Sequence, residues 1–168
     1  MIFYPNKYIK TIEEITIEFL QKNKIKALIL DVDNTLVNYK KEMPERIEKW
    51  AKELQGQGTK LFIVSNSNDK EKLEKVSKKL RGTRYTYFAM KPLGKGLKKA
   101  QKELNVKPEE IAVVGDQIFT DVIGGNRCKM FTILVDPVDE KDFWYTAWKR
   151  PIEDKIKKKI VKGEKNVF

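Results

Sequence analysis

Four short strings in this 168-residue sequence bring together side chains able to do chemistry. They are Asp31-Val32-Asp33-Asn34-Thr35, Ser65-Asn66, Lys91, and Gly115-Asp116 followed by Asp121. The residue types point to phosphoryl transfer. Three carboxylates (Asp31, Asp116 and Asp121), with a backbone carbonyl near Asp33, suit Mg²⁺, a hard ion that takes oxygen ligands and retains waters. An ion bridging nucleophile and phosphate offsets the repulsion between a carboxylate and a phosphate dianion. Ser65 and Lys91 would offer a hydroxyl and a cation to the phosphate oxygens, helped by the backbone amide of Asn66 near a helix start. Asp31 could then attack phosphorus to form an aspartyl phosphate. Asp33, two residues along, could protonate the leaving alcohol and later deprotonate the attacking water.

These residues need a frame that presents them together, and the hydrophobic pattern supplies one. Apolar runs at Ala27–Leu30, Leu61–Val64, Tyr85–Ala89, Ile111–Val114 and Met130–Val135 read as buried strands. Between them lie helical patterns: Pro44 to Gly56 with Ile47, Trp50, Ala51 and Leu54; Asp69–Leu80 with Leu73, Val76 and Leu80; Lys95–Leu104 with Leu97, Ala100 and Leu104; and a helix opening near Phe119. An amphipathic helix over Thr11–Gln21, carrying Ile12, Ile15, Thr16 and Phe19, precedes them, with Thr11 and Glu14 spaced as a capping box. The alternation predicts an α/β fold: a doubly wound, Rossmann-like, five-stranded parallel sheet with right-handed crossovers. In such a sheet ligands bind outside the carboxyl ends of the strands, where the reactive strings fall. Only 29 residues separate Thr35 from Ser65, and 25 separate Ser65 from Lys91. One helix uses most of each interval, so no cap domain fits. The predicted site is open and admits a bulky or surface-bound substrate.

Composition narrows the chemistry further. The chain has no histidine and one cysteine, which excludes Ser-His-Asp and Cys-His hydrolases, imidazole or thiolate zinc sites, and an internal disulfide. Lys and Arg number 35 against 24 Asp and Glu, a net charge of +11. That excess suits a polyanionic partner: a phosphorylated small molecule, an anionic phospholipid surface or nucleic acid. No apolar run approaches the roughly 20 residues of a membrane span, and Met1–Lys10 lacks a signal-peptide core. The expectation is a single domain over residues 1–168, located in the cytoplasm or peripherally on the inner face of the membrane. Residues 142–168 form a basic extension containing Phe143, Trp144, Tyr145 and Trp148. Those rings either pack on the sheet or dock at a bilayer interface. Gly124-Gly125 reads as close backbone packing or a turn, Cys128 as a small buried or half-buried residue and Trp50 as core.

Asp31-Val32-Asp33-Asn34-Thr35-Leu36, Ser65-Asn66, Lys91-Pro92 and Gly115-Asp116-Gln117-Ile118-Phe119-Thr120-Asp121 together resemble the four motifs of the haloacid dehalogenase (HAD) superfamily of phosphatases, in order. The longer strings DVDNTL and GDQIFTDVIGGNR are similar to its YqeG-type, subclass IIIA branch, which includes mitochondrial and plastid phosphatidylglycerophosphate phosphatases. The resemblance implies Asp31 as nucleophile and Asp33 as general acid/base. It implies Mg²⁺ held by Asp31, the Asp33 carbonyl and Asp116 with Asp121 in support, and a phosphoryl group bound by Thr35, Ser65, Asn66 and Lys91. It also makes phosphatidylglycerophosphate the preferred substrate. The second motif departs from the expected pair of adjacent asparagines, reading Ser65-Asn66-Ser67-Asn68.

Other readings fit parts of the sequence. A phosphatase of nucleotides, nucleic-acid ends or another soluble phosphomonoester accommodates the charge equally well. A receiver-type signalling domain also gathers acids, Thr/Ser and Lys at strand ends, but an acid two residues past the phospho-acceptor promotes turnover. A non-enzymatic basic binding module leaves four intact strings without a purpose.

Overall fold

Strands buried on both faces must be continuous in apolar residues, and the sheet of this protein is built from such runs. The computed structural model describes residues 2–139 and 150–164. Its strands are β1 (Lys7–Ile9), β2 (Ala27–Leu30), β3 (Lys60–Val64), β4 (Tyr85–Thr86), β5 (Ile111–Gly115) and β6 (Phe131–Val135). They form one sheet in the order β1-β6-β5-β2-β3-β4, and every pairing is parallel. The helices are α1 (Ile17–Lys22), α2 (Glu45–Gly56), α3 (Lys70–Lys79), α4 (Lys95–Leu104), α5 (Ile123–Arg127) and α6 (Arg150–Glu164).

Alternate residues of each strand serve opposite layers. Leu28, Leu30, Leu61, Ile63, Ala112 and Val114 pack with Ile47, Trp50 and Leu54 of α2, Leu73 and Val76 of α3 and Leu80 just past its end. Ala27, Ile29, Phe62, Val64, Ile111 and Val113 pack with Leu97, Ala100 and Leu104 of α4. Each such side chain, fully buried, contributes about 1.5–3 kcal/mol. The chain runs outward from β2 in one direction through β3 and β4, then returns to the other side with β5 and β6. That reversal creates a switch point at the carboxyl ends of β2, β3 and β5.

Several sequence expectations shift in detail. The sheet has six strands rather than five, because Lys7-Tyr8-Ile9 adds an edge strand to β6. Three half-exposed residues carry too little apolar pattern to announce a strand; the pairing is tertiary. The opening helix is split into a short 3₁₀ turn (Ile12–Glu14) and α1. Ile15-Thr16-Ile17 is a β-branched run, and the Thr16 hydroxyl accepts the Phe19 N–H at 3.1 Å, starting a new helix there. At the 3₁₀ turn the Glu14 carboxylate does reach back to the Thr11 N–H, at 3.4 Å. The third expected strand, Tyr85–Ala89, ends at Thr86 because Phe88 and Met90 leave the extended region, at φ +49° and +51°. The expected helix near Phe119 begins with one π-helical turn, Ile118–Val122, before α5.

Among the described residues, the interval from Thr35 to Ser65 holds α2 and β3, and the next holds α3 and β4, with no inserted domain in either. No helix among the described residues is long and apolar enough to cross a membrane. The aromatic run Phe143–Trp148 lies outside the described residues.

The glycine pair packs closely. A Cβ on Gly125 would lie 2.5 Å from Thr132 Cγ2 and 3.2 Å from Val113 Cβ, so α5 meets the sheet at a distance only glycine allows. Gly125→Ala is expected to destabilise the protein by about 1–3 kcal/mol, read as a lowered urea midpoint with an unchanged m-value. An unchanged midpoint would refute the packing role.

Candidate active site

The first reactive string leaves the sheet directly after β2. The Asp31 N–H still donates to Val114 O at 3.0 Å, so the residue is fixed by the sheet itself. The chain then turns sharply, with Asn34 at φ +59°. The Asn34 side chain locks that turn to the segment after β6, accepting the Asp139 N–H at 2.9 Å and donating to Asp139 O at 3.2 Å. Asparagine tolerates the left-handed conformation better than most residues, which fits it to the turn.

Lys91 reaches the pocket from the loop after β4. Its ammonium donates to Asp31 Oδ1 at 2.7 Å and to Asp121 Oδ1 at 2.6 Å, and its side chain is almost wholly buried. The Asn66 side chain brackets its backbone, accepting the Lys91 N–H at 2.8 Å and donating to Lys91 O at 3.1 Å. The sequence suggested a role for the Asn66 backbone amide; its carboxamide, in addition, holds Lys91 in place. Asp116 follows β5, and the Thr35 hydroxyl donates to its Oδ1 at 3.2 Å. The expected contact of Thr35 with substrate gives way to this one, since Thr35 is 1 % exposed and its hydroxyl is committed to Asp116. Asp121 lies on the π-helical turn, its Oδ2 accepting the Gln117 N–H at 3.3 Å. A Cβ on Gly115 would overlap that carboxylate, so the glycine before Asp116 is what admits Asp121 to the pocket.

A cleft of about 620 Å³ opens over this group, with Asp31, Asp33, Asn66, Ser67, Lys72 and Lys91 among its walls. Ser65 is fully buried, and its Oγ accepts the Ser67 N–H at 3.1 Å, so it shapes the loop while Ser67 faces the cleft. Asp33 is held by Lys72, whose ammonium lies 2.6 Å from Asp33 Oδ1 and 3.1 Å from Ser67 Oγ. Lys72 escaped the sequence reading because it sits in a lysine-rich helix whose other cations are solvated. Its place two residues into α3, beside the Asp69 cap, was the available signal. Glu153 of α6 also escaped. Its buried carboxylate accepts the N–H of Ile118 at 3.1 Å and of Phe119 at 3.5 Å, pairing the opening amides of the turn that carries Asp121. A glutamate in a lysine-rich tail gives no such hint.

The electrostatics follow from one ammonium facing three carboxylates. Burial, reinforced by the neighbouring charge of Asp121, pushes Asp31 up to about 7 despite Lys91. Burial, with Asp31 and Asp121 adding to it, raises Asp116 well above the usual carboxylate range. Burial alone would depress Lys91, but Asp121 and Asp31 outweigh it and hold the ammonium above its ordinary value. The pocket therefore lacks positive charge. Oxygens of Asp31, Asp116 and Asp121 lie within 4.8 Å of one another, a hard-donor set that fits a divalent cation.

Because Asp31 and Asp116 hold protons longer in the folded than in the unfolded chain, the metal-free protein should lose stability as pH rises from 3.8 toward about 7. The slope is up to about 1.4 kcal/mol per pH unit per proton. Thermal melts across that range should show the decline, with Mg²⁺ reversing it at neutral pH and Asp116→Asn flattening it. A melting temperature that climbs across the range in the absence of metal would contradict the charge assignment.

Residues 1–139 match the family described as mitochondrial PGP phosphatase. The chain is 39 % identical over 155 residues to "Probable phosphatase YqeG" of Bacillus subtilis, covering 92 % of this chain and 89 % of that protein. It is 24 % identical over 152 residues to phosphatidylglycerophosphate phosphatase 1, chloroplastic/mitochondrial, of Arabidopsis thaliana, covering 82 % of this chain but only 42 % of that longer one. Among solved structures, the cobalt-bound deoxy-D-mannose-octulosonate 8-phosphate phosphatase of Haemophilus influenzae superposes with a TM-score of 0.56 at 18 % identity, over 67 % of this chain and 69 % of that one. This last likeness is one of fold. On this sequence match and this fold, the chain is a HAD-type phosphatase and belongs to the mitochondrial PGP phosphatase family, alongside YqeG.

Proposed function

We propose that the protein hydrolyses a phosphomonoester carried on a lipid headgroup, with phosphatidylglycerophosphate as preferred substrate, through an aspartyl phosphate on Asp31. The observation that carries the mechanism is the arrangement of Asp31 and Asp33 along one short turn. Asp31 shares Lys91 with Asp121, while Asp33 faces the same cleft on Lys72. An Asp31 oxygen attacks phosphorus, and the bond from phosphorus to the leaving oxygen breaks. Asp33 gives a proton to that oxygen, releasing the alcohol. A water then attacks the phosphorus of the aspartyl phosphate and yields its proton to Asp33. Inorganic phosphate departs and the Asp31 carboxylate is restored.

Mg²⁺ is the divalent ion proposed here, with Asp31 and Asp116 as its direct carboxylate ligands and Asp121 in support; when bound it supplies the positive charge that the phosphate dianion requires. Both Asp121 oxygens already accept hydrogen bonds, from Lys91 and from the Gln117 amide, which favours the supporting role. Lys91 and the loop Ser65–Asn68 form the wall that receives the phosphoryl oxygens, Ser65 by fixing Ser67. Lys72 orients the Asp33 carboxyl and adds charge beside it.

The family match supports the lipid substrate, and the cap-free cleft is compatible with a headgroup still seated in a bilayer. Soluble phosphomonoesters and phosphorylated nucleic-acid ends remain the competing substrates, to be compared directly. In Mg²⁺-dependent phosphate release, Asp31→Asn should abolish turnover and any acid-stable trapped phosphoenzyme. Asp33→Asn should lower turnover about a hundredfold or more. Asp33→Asn at normal rates would remove the acid/base assignment, and equal or better turnover of soluble esters than of phosphatidylglycerophosphate in detergent micelles would remove the lipid one.

A further inference from the structure

Eight large apolar side chains are exposed among the described residues, and half of them sit in one loop. Tyr87, Phe88, Met90 and Leu93, between β4 and α4, are exposed by 42, 63, 38 and 66 %. The loop is held in shape. The Phe88 N–H donates to Ser67 O at 2.9 Å, the Ala89 N–H to Ser65 O at 3.0 Å, and the Leu93 N–H to Met90 O at 2.8 Å. Ala89 and Lys91 are buried, and Asn66 clamps Lys91 from both sides. Phe88 and Met90 occupy the left-handed backbone region, which side-chain-bearing residues seldom adopt. An unfavourable backbone is thus maintained with Ala89 and Lys91 inside and the large apolar residues in water.

We propose that this loop, residues 87–93, docks the protein on the surface of an anionic lipid bilayer, with the cleft turned toward the headgroups. It rests on the reading of the substrate as a lipid-borne phosphomonoester.

Charge favours this occupant. Residues 87–102 contain five lysines and no acidic residue, and Lys95, Lys98 and Lys99 are exposed beside the loop. The Lys70 ammonium lies 4.6 Å from the centre of the Tyr87 ring. Aromatic and aliphatic tips surrounded by lysines match the boundary between acyl chains and anionic headgroups. A nucleic acid would use the lysines but gain little from Met90 and Leu93. The site lies close by, because Lys91 belongs to the same loop and its ammonium contacts Asp31. Docking by the loop therefore sets Asp31 near headgroup depth.

The test is flotation of the full chain with vesicles of phosphatidylcholine alone, or of phosphatidylcholine and phosphatidylglycerol in equal parts. The protein should float with the mixed vesicles only, and added salt should weaken the association. Met90→Asn with Leu93→Asn should reduce that partitioning about tenfold or more while leaving hydrolysis of a soluble phosphomonoester unchanged. Asparagine is suited to the left-handed position, so the double variant should fold. Asp31→Asn, inactive, should float like the parent, which separates docking from the catalytic reading. Flotation that survives the double substitution, or no flotation with either vesicle, would overturn the proposal. So would a discrete protein complex lost in the double variant by a chain that ignores vesicles.

Discussion

The Lys91 ammonium is shared between Asp31 and Asp121 while Asp116 stands beside them, so the pocket sets one positive charge against three negative ones. Two like charges within 4.8 Å of each other repel by at least about 3–4 kcal/mol at the effective dielectric of a protein site. A hydrogen bond such as that from Thr35 returns only about 1 kcal/mol, so local polar contacts cannot balance the cluster. Proton uptake or a divalent cation can. The demand for an added proton or cation is thus a property of how the carboxylates are packed, before any substrate arrives.

Holding such a cluster together takes rigid surroundings, and each member has its own brace. Asp31 continues the hydrogen bonding of β2, and Asn66 grips the Lys91 backbone at both its donor and its acceptor. Asp121 fits because Gly115 has no side chain. Lys72 and Asp33 form a second charged pair on the cleft wall, separate from the buried one and more accessible to water. One end of the sheet therefore carries a buried group that fits a cation with a more exposed ion pair next to it.

The reactive residues were legible because they end apolar runs. Asp31, Ser65 and Asp116 each follow a strand whose continuous Leu, Ile and Val pattern is unambiguous, and the helices between them have clean apolar faces. What escaped depends on long-range contacts. β1 exists only because β6 offers an edge, and the split at Thr16 reflects a cap competing with an apolar periodicity. The roles of Lys72 and Glu153 come from where α3 and α6 happen to lie against the site. What the sequence did not suggest for Thr35 and Asn66 is that each secures another residue of the cluster through its side chain. Sequence spacing identifies which polar groups gather at the carboxyl ends of the strands; it does not say which of them face outward.

Glu153 gives the recurrent region of this family an unexpected edge. The match to the family ends at residue 139, yet the amides of Ile118 and Phe119, at the head of the turn bearing Asp121, find their acceptor on a helix that begins at Arg150. Residues beyond the matched region therefore help to hold the turn that bears Asp121. The fourth motif is braced by Glu153, so a helix that reads as a solvated lysine tail is part of the scaffold that holds the site.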